Sequence, residues 1–303
     1  MRKIFLTGKN GQIGWELQRT LAPLGDVVAV DRQELDLADP DSIRKVIREI
    51  RPELIVNAAA YTAVDKAESE PDLAMAVNGI APGVMAEEAK HLNAAIIHYS
   101  TDYVFDGSKK SPYSEEDVPN PLNVYGKTKL AGERAIQAVG APHIILRTSW
   151  VYGTRGKNFL LTILKLARER SELKIVEDQI GAPTWSRTLA EATSQILAQH
   201  YSPISQSSAS IMDISGLYHA VSGGMTSWYG FAKKILETAS SHIPHSLPRL
   251  VPIPSIDYPA PAKRPQNSCL SCEKLKRTYG LVFPLWDKLL TQCLDDLVKA
   301  STI

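Results

Sequence analysis

Tyr125 and Lys129 stand four positions apart in the run NVYGKTKL (123–130). Four residues make about one helical turn, so on a helix the phenol and the ammonium leave from one face. A cation beside a phenol favours the phenolate and lowers the tyrosine pKa. Such a phenol can give a proton to a developing alkoxide near neutral pH. On a surface helix the same pair is only a solvated tyrosine and a lysine, so the meaning rests on partners. The run Ser100, Thr101, Asp102, Tyr103 offers them. Thr101 can hydrogen-bond a carbonyl and polarise it; taken alone it reads as a strand-end hydroxyl capping the next turn. Asp102 can orient a sugar hydroxyl or a water, or be a turn residue facing solvent. Hydroxyl, tyrosine and lysine together form a set for carbonyl reduction. Tyr125 protonates the oxygen as hydride reaches the carbon, and Lys129 lowers the Tyr125 pKa and holds a nicotinamide ribose.

Hydride chemistry needs a place for a dinucleotide. Residues 3–7 read as a short buried strand, followed by Gly8, Gly11 and Gly14 in a GxxGxxG turn and then a helical pattern through Trp15, Leu17, Leu21 and Leu24. Glycines let backbone approach a pyrophosphate, which sits on the free N–H groups of a helix N-terminus. A tight turn without a ligand is the alternative. A second strand over 26–30 ends in Asp31 and Arg32. An acid about 20 residues past the glycines suits the adenosine ribose of NAD, whereas an arginine suits the 2′-phosphate of NADP. Both are present, so NADH and NADPH stay undivided. Asp36 and Leu37 follow where adenine is often contacted.

These groups need a scaffold to bring them together. Further strands are predicted over 53–57, 94–99 and 143–147, with helices over 41–51, 71–91 and 124–139 between them. Apolar strands alternating with helices imply a parallel sheet covered on both faces, an α/β fold of the Rossmann-type doubly wound class. Ligands of such sheets lie beyond the carboxyl ends of the strands. The glycine turn, Asp31, residues 58–62, residues 100–102 and residues 148–150 all fall there. Beyond about 150 the pattern loosens. Helices are predicted over 158–170, 187–200, 227–240 and 285–300, a short strand over 174–176, a further sheet strand over 218–221, a polar loop over 201–210 and extended proline-rich chain over 244–265. The expected organisation is an NAD(P)-binding domain over 1–150, completed by about 185–222, with a smaller substrate-binding lobe from 151–184 and 223–303.

Composition narrows the classes. The chain has 303 residues, 44% hydrophobic and 22% charged, with a net charge of +1. That balance makes no global electrostatic case for nucleic acid or an anionic membrane, and no apolar run approaches the roughly 18 residues that span a bilayer. The N-terminus reads as a strand and not as a signal peptide. Cys269 and Cys272 form a CxxC, but neither a second CxxC nor paired histidines complete a zinc set. With Cys293 they are expected as reduced thiols in a cytoplasmic protein.

The glycine turn, NAAAYTAVDKAES (57–69), STDYVFDG (100–107), PLNVYGKTKL (121–130) and RTSWVY (147–152) resemble the extended short-chain dehydrogenase/reductases. With DQIGAPT (178–184), SWY (227–229) and RPQNS (264–268) they resemble, more narrowly, the dTDP-4-dehydrorhamnose reductases over nearly the whole chain. The resemblance implies reduction of the C4 ketone of a dTDP-4-dehydro sugar by NADPH or NADH. It implies Gly11, Gln12 and Ile13 along the pyrophosphate and Asp31, Asp36 and Leu37 along the adenosine. Ala60, Tyr61, Thr62 and Tyr99 would lie along the nicotinamide half, and Thr101, Asp102 and Trp150 against the sugar nucleotide, with Trp150 as a platform under the sugar. Asn158 and Gln179 would be further substrate contacts.

Some members of this family are implied to be magnesium-linked dimers built on acidic residues. Here Glu16 and Asp287 are acidic, but Arg187 stands at the middle position, where a cation repels a divalent metal. A monomer or weak homodimer without metal is therefore expected. Two other readings fit the scaffold: a reductase of another nucleotide-linked 4-keto-6-deoxy sugar, and a non-catalytic regulatory subunit like the beta subunit of methionine adenosyltransferase.

Overall fold

The computed structural model describes residues 2–201, 214–240 and 247–301. Its frame is a six-stranded, all-parallel sheet. β1 (Lys3–Thr7), β2 (Asp26–Val30), β3 (Leu54–Asn57), β4 (Ala95–Thr101) and β5 (His143–Thr148) are joined by a sixth strand, β10 (Gly216–His219), in the order β10-β5-β4-β3-β1-β2. The order reverses beside β1, where the chain runs out to β2 and returns to β3 on the other side. That reversal opens a crevice at the carboxyl edge.

Side chains alternate across the pleat. Ile4, Leu6, Val56, Ile97 and Leu146 enter one core with Leu17 of α1 (Gln12–Thr20) and Leu189 of α8 (Ser186–Tyr201). Phe5, Ile55, Ile96 and Ile145 enter the opposite core with Ile43 of α2 (Pro40–Ile50) and Met85 of α5 (Ala81–His91). Burial on both faces explains why these strands read as continuous apolar runs.

The helix predicted over 71–91 is present over its whole span, with one break in its α-geometry. After the short α3 (Val64–Ala67) and α4 (Pro71–Met75) comes a π-helical turn, Ala76–Ile80, before α5 begins. α6 (Val124–Val139) has the bounds its pattern predicts; Asn123 caps it through Gly126 N–H, and Gly140 ends it at φ +71°.

A third core joins Leu160 and Ile163 of α7 (Phe159–Glu169), Phe231 and Ile235 of α9 (Trp228–Ala239), and Leu290 of α11 (Trp286–Ser301). Its short strands are β6 (Val151–Tyr152) with β9 (Thr184–Trp185), and β8 (Ile180–Gly181) with β11 (Thr226–Ser227). β7 (Glu172–Val176) pairs in parallel with β12 (Arg249–Ile253), so part of the stretch expected as extended wrapping is a paired strand. α10 (Glu273–Tyr279) lies against β10. The loop expected over 201–210 lies outside the described residues, apart from Tyr201 at the end of α8. No described helix is long and apolar enough to cross a membrane.

Candidate active site

A cavity of about 930 Å³ follows the carboxyl edge of the sheet from Asp31 to Trp150. At its centre Gly8 turns at φ +76°, and its N–H reaches the Val30 carbonyl. A Cβ on Gly14 would collide with the Gly8 carbonyl oxygen, so the turn closes this tightly only with glycine. No side chain caps α1, whose first residues Gln12 and Ile13 line the cavity with Gly8 and Gly11. Uncapped N–H groups at a helix start suit a pyrophosphate. Gly14 is not part of the lining; it only makes the turn possible.

Asp31, Arg32, Asp36 and Leu37 line one end. The Asp31 carboxylate accepts from Asn10 Nδ2 at 2.7 Å and from the Gln33 N–H at 2.9 Å. Lys9 lies 3.9 Å from it and pairs directly with Glu34, which raises the lysine pKa and lowers that of the glutamate. Arg32 is exposed.

Ala60, Tyr61 and Thr62 line the middle. Asn78, in the π turn, holds the Tyr61 backbone through its N–H (2.8 Å) and its carbonyl (3.0 Å). That double clasp gives the break in the long helix a purpose: the bulge turns an amide toward the loop. Tyr99 also borders the cavity, but its phenol bonds Thr193 on α8, and its carbonyl receives Lys129 Nζ at 2.6 Å.

Tyr125, Lys129, Thr101 and Asp102 meet at the inner end. Tyr125 lies in the first turn of α6, with Tyr103 edge-on to its ring at 5.8 Å. Thr101 donates to Asp102 Oδ1 at 3.0 Å and is itself hydrogen-bonded to Tyr125. The pKa expected for Tyr125 needs correction. Burial pushes it up to about 12, Thr101 opposes this, and Lys129 contributes nothing that offsets it. The ammonium is aimed at the Tyr99 carbonyl and His98, and burial brings Lys129 itself down to about 8 against the pull of Glu133. Burial also pushes Asp102 up to about 6, although Ser268, Thr101 and Ser149 bond its carboxylate. It is therefore no solvent-facing turn residue.

Trp150 closes the cavity at φ +47°, stacked on Trp228 with 3.5 Å between ring centroids and 6° between planes. A Cβ on Gly181 would run into the Trp150 indole. One face of the expected platform is thus already covered, and Trp228 is a wall that the sequence argument did not single out. Its run SWY had a family meaning but no assigned role. Asn158 does not line the cavity. It caps α7, and its Nδ2 is divided among Gln12 Oε1, the Gly153 carbonyl and the Arg155 carbonyl. Its contact with the lining is therefore indirect, through Gln12. Gln179 is half-buried next to β8 and is likewise not in the lining.

Arg187 pairs with Glu16 and with Asp296, whereas Asp287 lies at the start of α11 and accepts from the Lys288 N–H. The acid that converges on Arg187 is thus Asp296 and not the expected Asp287. Among the described residues no group of acids, histidines and cysteines is arranged to hold a metal. Cys269, Cys272 and Cys293 are free thiols, all pushed up by burial.

Residues 1–299 match the family model described as RmlD substrate binding domain. A dTDP-4-dehydrorhamnose reductase of Burkholderia thailandensis is 48% identical over 98% of this chain and 99% of its own. One of Escherichia coli is 45% identical over 99% of both chains. The crystal structure of a dTDP-4-dehydrorhamnose reductase from Bacillus anthracis in complex with NADP superposes with a TM-score of 0.88 at 34% identity, covering 98% of this chain and 100% of that one. Matching over essentially its full length, the chain belongs to the RmlD substrate binding domain family.

Proposed function

We infer that the protein reduces the C4 ketone of dTDP-4-dehydro-L-rhamnose to the alcohol of dTDP-L-rhamnose with NADPH or NADH. One observation carries the reading. The Tyr125, Thr101 and Lys129 side chains line the same cavity as the uncapped glycine turn. The relatives that share this whole chain carry the corresponding name.

The residues present fit a dinucleotide: Gly8 and Gly11 line the cavity without side chains, Gly14 lets the turn close, and the start of α1 carries no side-chain cap and is free to bind phosphate oxygens. When bound, the nicotinamide supplies the hydride. Gly11, Gln12 and Ile13 hold the pyrophosphate, and Asp31, Arg32, Asp36 and Leu37 surround the adenosine. Tyr125 carries the proton. A phenol raised to about 12 stays loaded at neutral pH, and an alkoxide is a far stronger base than a phenolate, so transfer still runs downhill. Thr101 polarises the carbonyl, and Asp102 with Trp150 and Trp228 shapes the sugar end. Lys129 holds the nicotinamide ribose. Thr101 and Lys129 are buried and Tyr125 is half-buried, which limits the water that reaches the ketone.

The cofactor domain comprises residues 1–150 completed by about 185–222. In support, α8 packs on α1 and β10 extends the main sheet. The lobe from 151–184 and 223–303 holds the third core and supplies Trp228. The protein works in the cytoplasm as a monomer or weak homodimer without metal. The Arg187 guanidinium, held by Glu16 and Asp296, supports this. Its elution on a sizing column is expected to be unchanged by magnesium; a stable magnesium-dependent dimer would refute that part.

The decisive assay is the loss of NADPH or NADH absorbance on adding dTDP-4-dehydrorhamnose made in situ. Oxidation that needs the sugar nucleotide supports the reading. Cofactor binding without turnover points first to another 4-keto-6-deoxy sugar nucleotide, then to a regulatory subunit.

A further inference from the structure

Thr7, Asn57 and His98 are polar residues in strands that are otherwise apolar. Thr7 is in register with Asn57, and Asn57 with His98, so the three form a row across β1, β3 and β4 on the sheet face that carries α6. Each is 1% exposed, as is Lys129. The row is continuous. The Thr7 hydroxyl donates to Asn57 Oδ1 at 2.7 Å, Asn57 Nδ2 lies 3.0 Å from His98 Nδ1, and His98 Nε2 lies 3.1 Å from Lys129 Nζ. Its far end, Thr7, accepts from the Ala59 N–H and borders the cofactor cavity next to Gly8.

The direction of these bonds restricts the charge on Lys129. A neutral imidazole carries one N–H. With Thr7 donating to the Asn57 oxygen, the Asn57 amide N–H points at Nδ1, and the His98 proton must sit on Nε2. It then points at Lys129 Nζ. An ammonium has no lone pair to receive it, whereas a neutral amine does. The reverse arrangement suits the ammonium: the Asn57 oxygen turns to a protonated Nδ1, Nε2 is bare, and the Asn57 N–H donates to Thr7. Lys129 gains or loses one proton between these states, while His98 keeps one and changes which nitrogen bears it. Burial leaves no water to repair a mismatch.

We propose that Thr7, Asn57 and His98 are positioning residues that couple the glycine-turn end of the cofactor cleft to the protonation of Lys129. A ligand oxygen that accepts from the Thr7 hydroxyl takes that donor away from Asn57 and turns the row toward the ammonium. The charged and titratable groups that face Lys129 are His98 from β4, and Tyr125 and Glu133 from α6 itself; Arg147 of β5 pairs with Glu133. His98 stays neutral, because burial and then the Lys129 charge hold it well below its usual range. The proposal rests on Lys129 being the cation of the reductase site.

The test is a pH titration of Lys129 in the cofactor-free protein, followed by NMR of its ε-carbon and assigned with Lys129→Arg. Thr7→Val changes no charge and removes the donor that fixes the Asn57 amide. It is expected to raise the Lys129 pKa by half a unit or more, about threefold in the ammonium-to-amine ratio. In a His98→Phe background, which cuts the row, the same substitution is expected to move nothing. Asn57→Leu cuts it one link earlier if His98→Phe does not fold. The limb of the kcat/KM profile that reports Lys129 should move with the NMR value. No shift in Thr7→Val, or an equal shift in the cut background, overturns the coupling. Because the titration needs no substrate, a protein inactive on dTDP-4-dehydrorhamnose would overturn that substrate assignment without touching the coupling, and a missing shift would overturn the coupling without touching the assignment.

Discussion

At the Asp31 end of the cleft, Lys9, Asp31 and Glu34 meet partly open to solvent; at the inner end, Lys129 and Asp102 are buried and Tyr125 is half-buried beside them. The two sets contain much the same chemistry. In the open set neighbours rule: Lys9 rises and Glu34 falls, each first because of the other. In the closed set desolvation comes first for every member, and it moves Lys129 down and Asp102 and Tyr125 up. Pairing arguments hold where water screens the cost of charge. They fail where that cost must be met by the protein.

The largest expected effect is at the closed end. Tyr125→Phe removes the proton that the proposed mechanism gives to the ketone oxygen, and kcat should fall by about 10²- to 10⁴-fold. Cofactor affinity, read by fluorescence quenching, should change by less than about threefold, since the phenol serves chemistry more than binding. Retained turnover would mean that the buried set is structural, and the contrast would collapse.

Next is Asp102. Its folded pKa, near 6, lies above the ordinary carboxylate value of 3.8. Between those values the unfolded chain has lost the proton that the native state keeps, so this group's contribution to stability falls as pH rises from about 4 to 6. About two pKa units correspond to roughly 3 kcal/mol. Asp102→Asn should therefore gain stability over the wild type by an amount that grows from pH 4 to 7 in urea titrations, even as activity drops. A pH-independent difference would place Asp102 in a wetter setting than its burial indicates.

The smallest effect is at the open end. Lys9→Gln deletes the exposed pair with Glu34, and surface pairs contribute little. Its melting temperature should stay within about two degrees of the wild type, with any difference gone in high salt. A large, salt-resistant loss would show that this end is as closed as the other.

The same contrast explains what was legible in the residues. The strands, the glycine turn and α6 announce themselves through periodicity and caps, which are local. Tyr125 and Lys129 came from spacing along one helix, and Thr101 from its place at a strand end. The break at Ala76–Ile80 was invisible, because it is set by Asn78 reaching Tyr61 across the fold. The acid of the last helix that meets Glu16 and Arg187 was placed at Asp287 and lies at Asp296 for a geometric reason. Asp287 and Asp296 are nine positions apart, two and a half turns, and so lie on opposite sides of α11. Choosing between them requires knowing which side faces α8. Trp228 carried no signal of its own, since an aromatic at a helix start is an ordinary core residue until Trp150 is seen lying on it.

That pair of indoles has an optical consequence. Two identical chromophores, stacked face to face with centroids 3.5 Å apart, share their excitation and do not absorb independently. Where the two transition moments are rotated relative to one another within their planes, such coupling gives a paired positive and negative band in circular dichroism, unlike the weak single bands of isolated tryptophans. Trp15, Trp185 and Trp286 have no such indole partner among the described residues. The couplet therefore belongs to the mouth of the cleft alone. A ligand that parted the rings would erase it, so the dichroism of this pair reports on the state of the cleft's mouth.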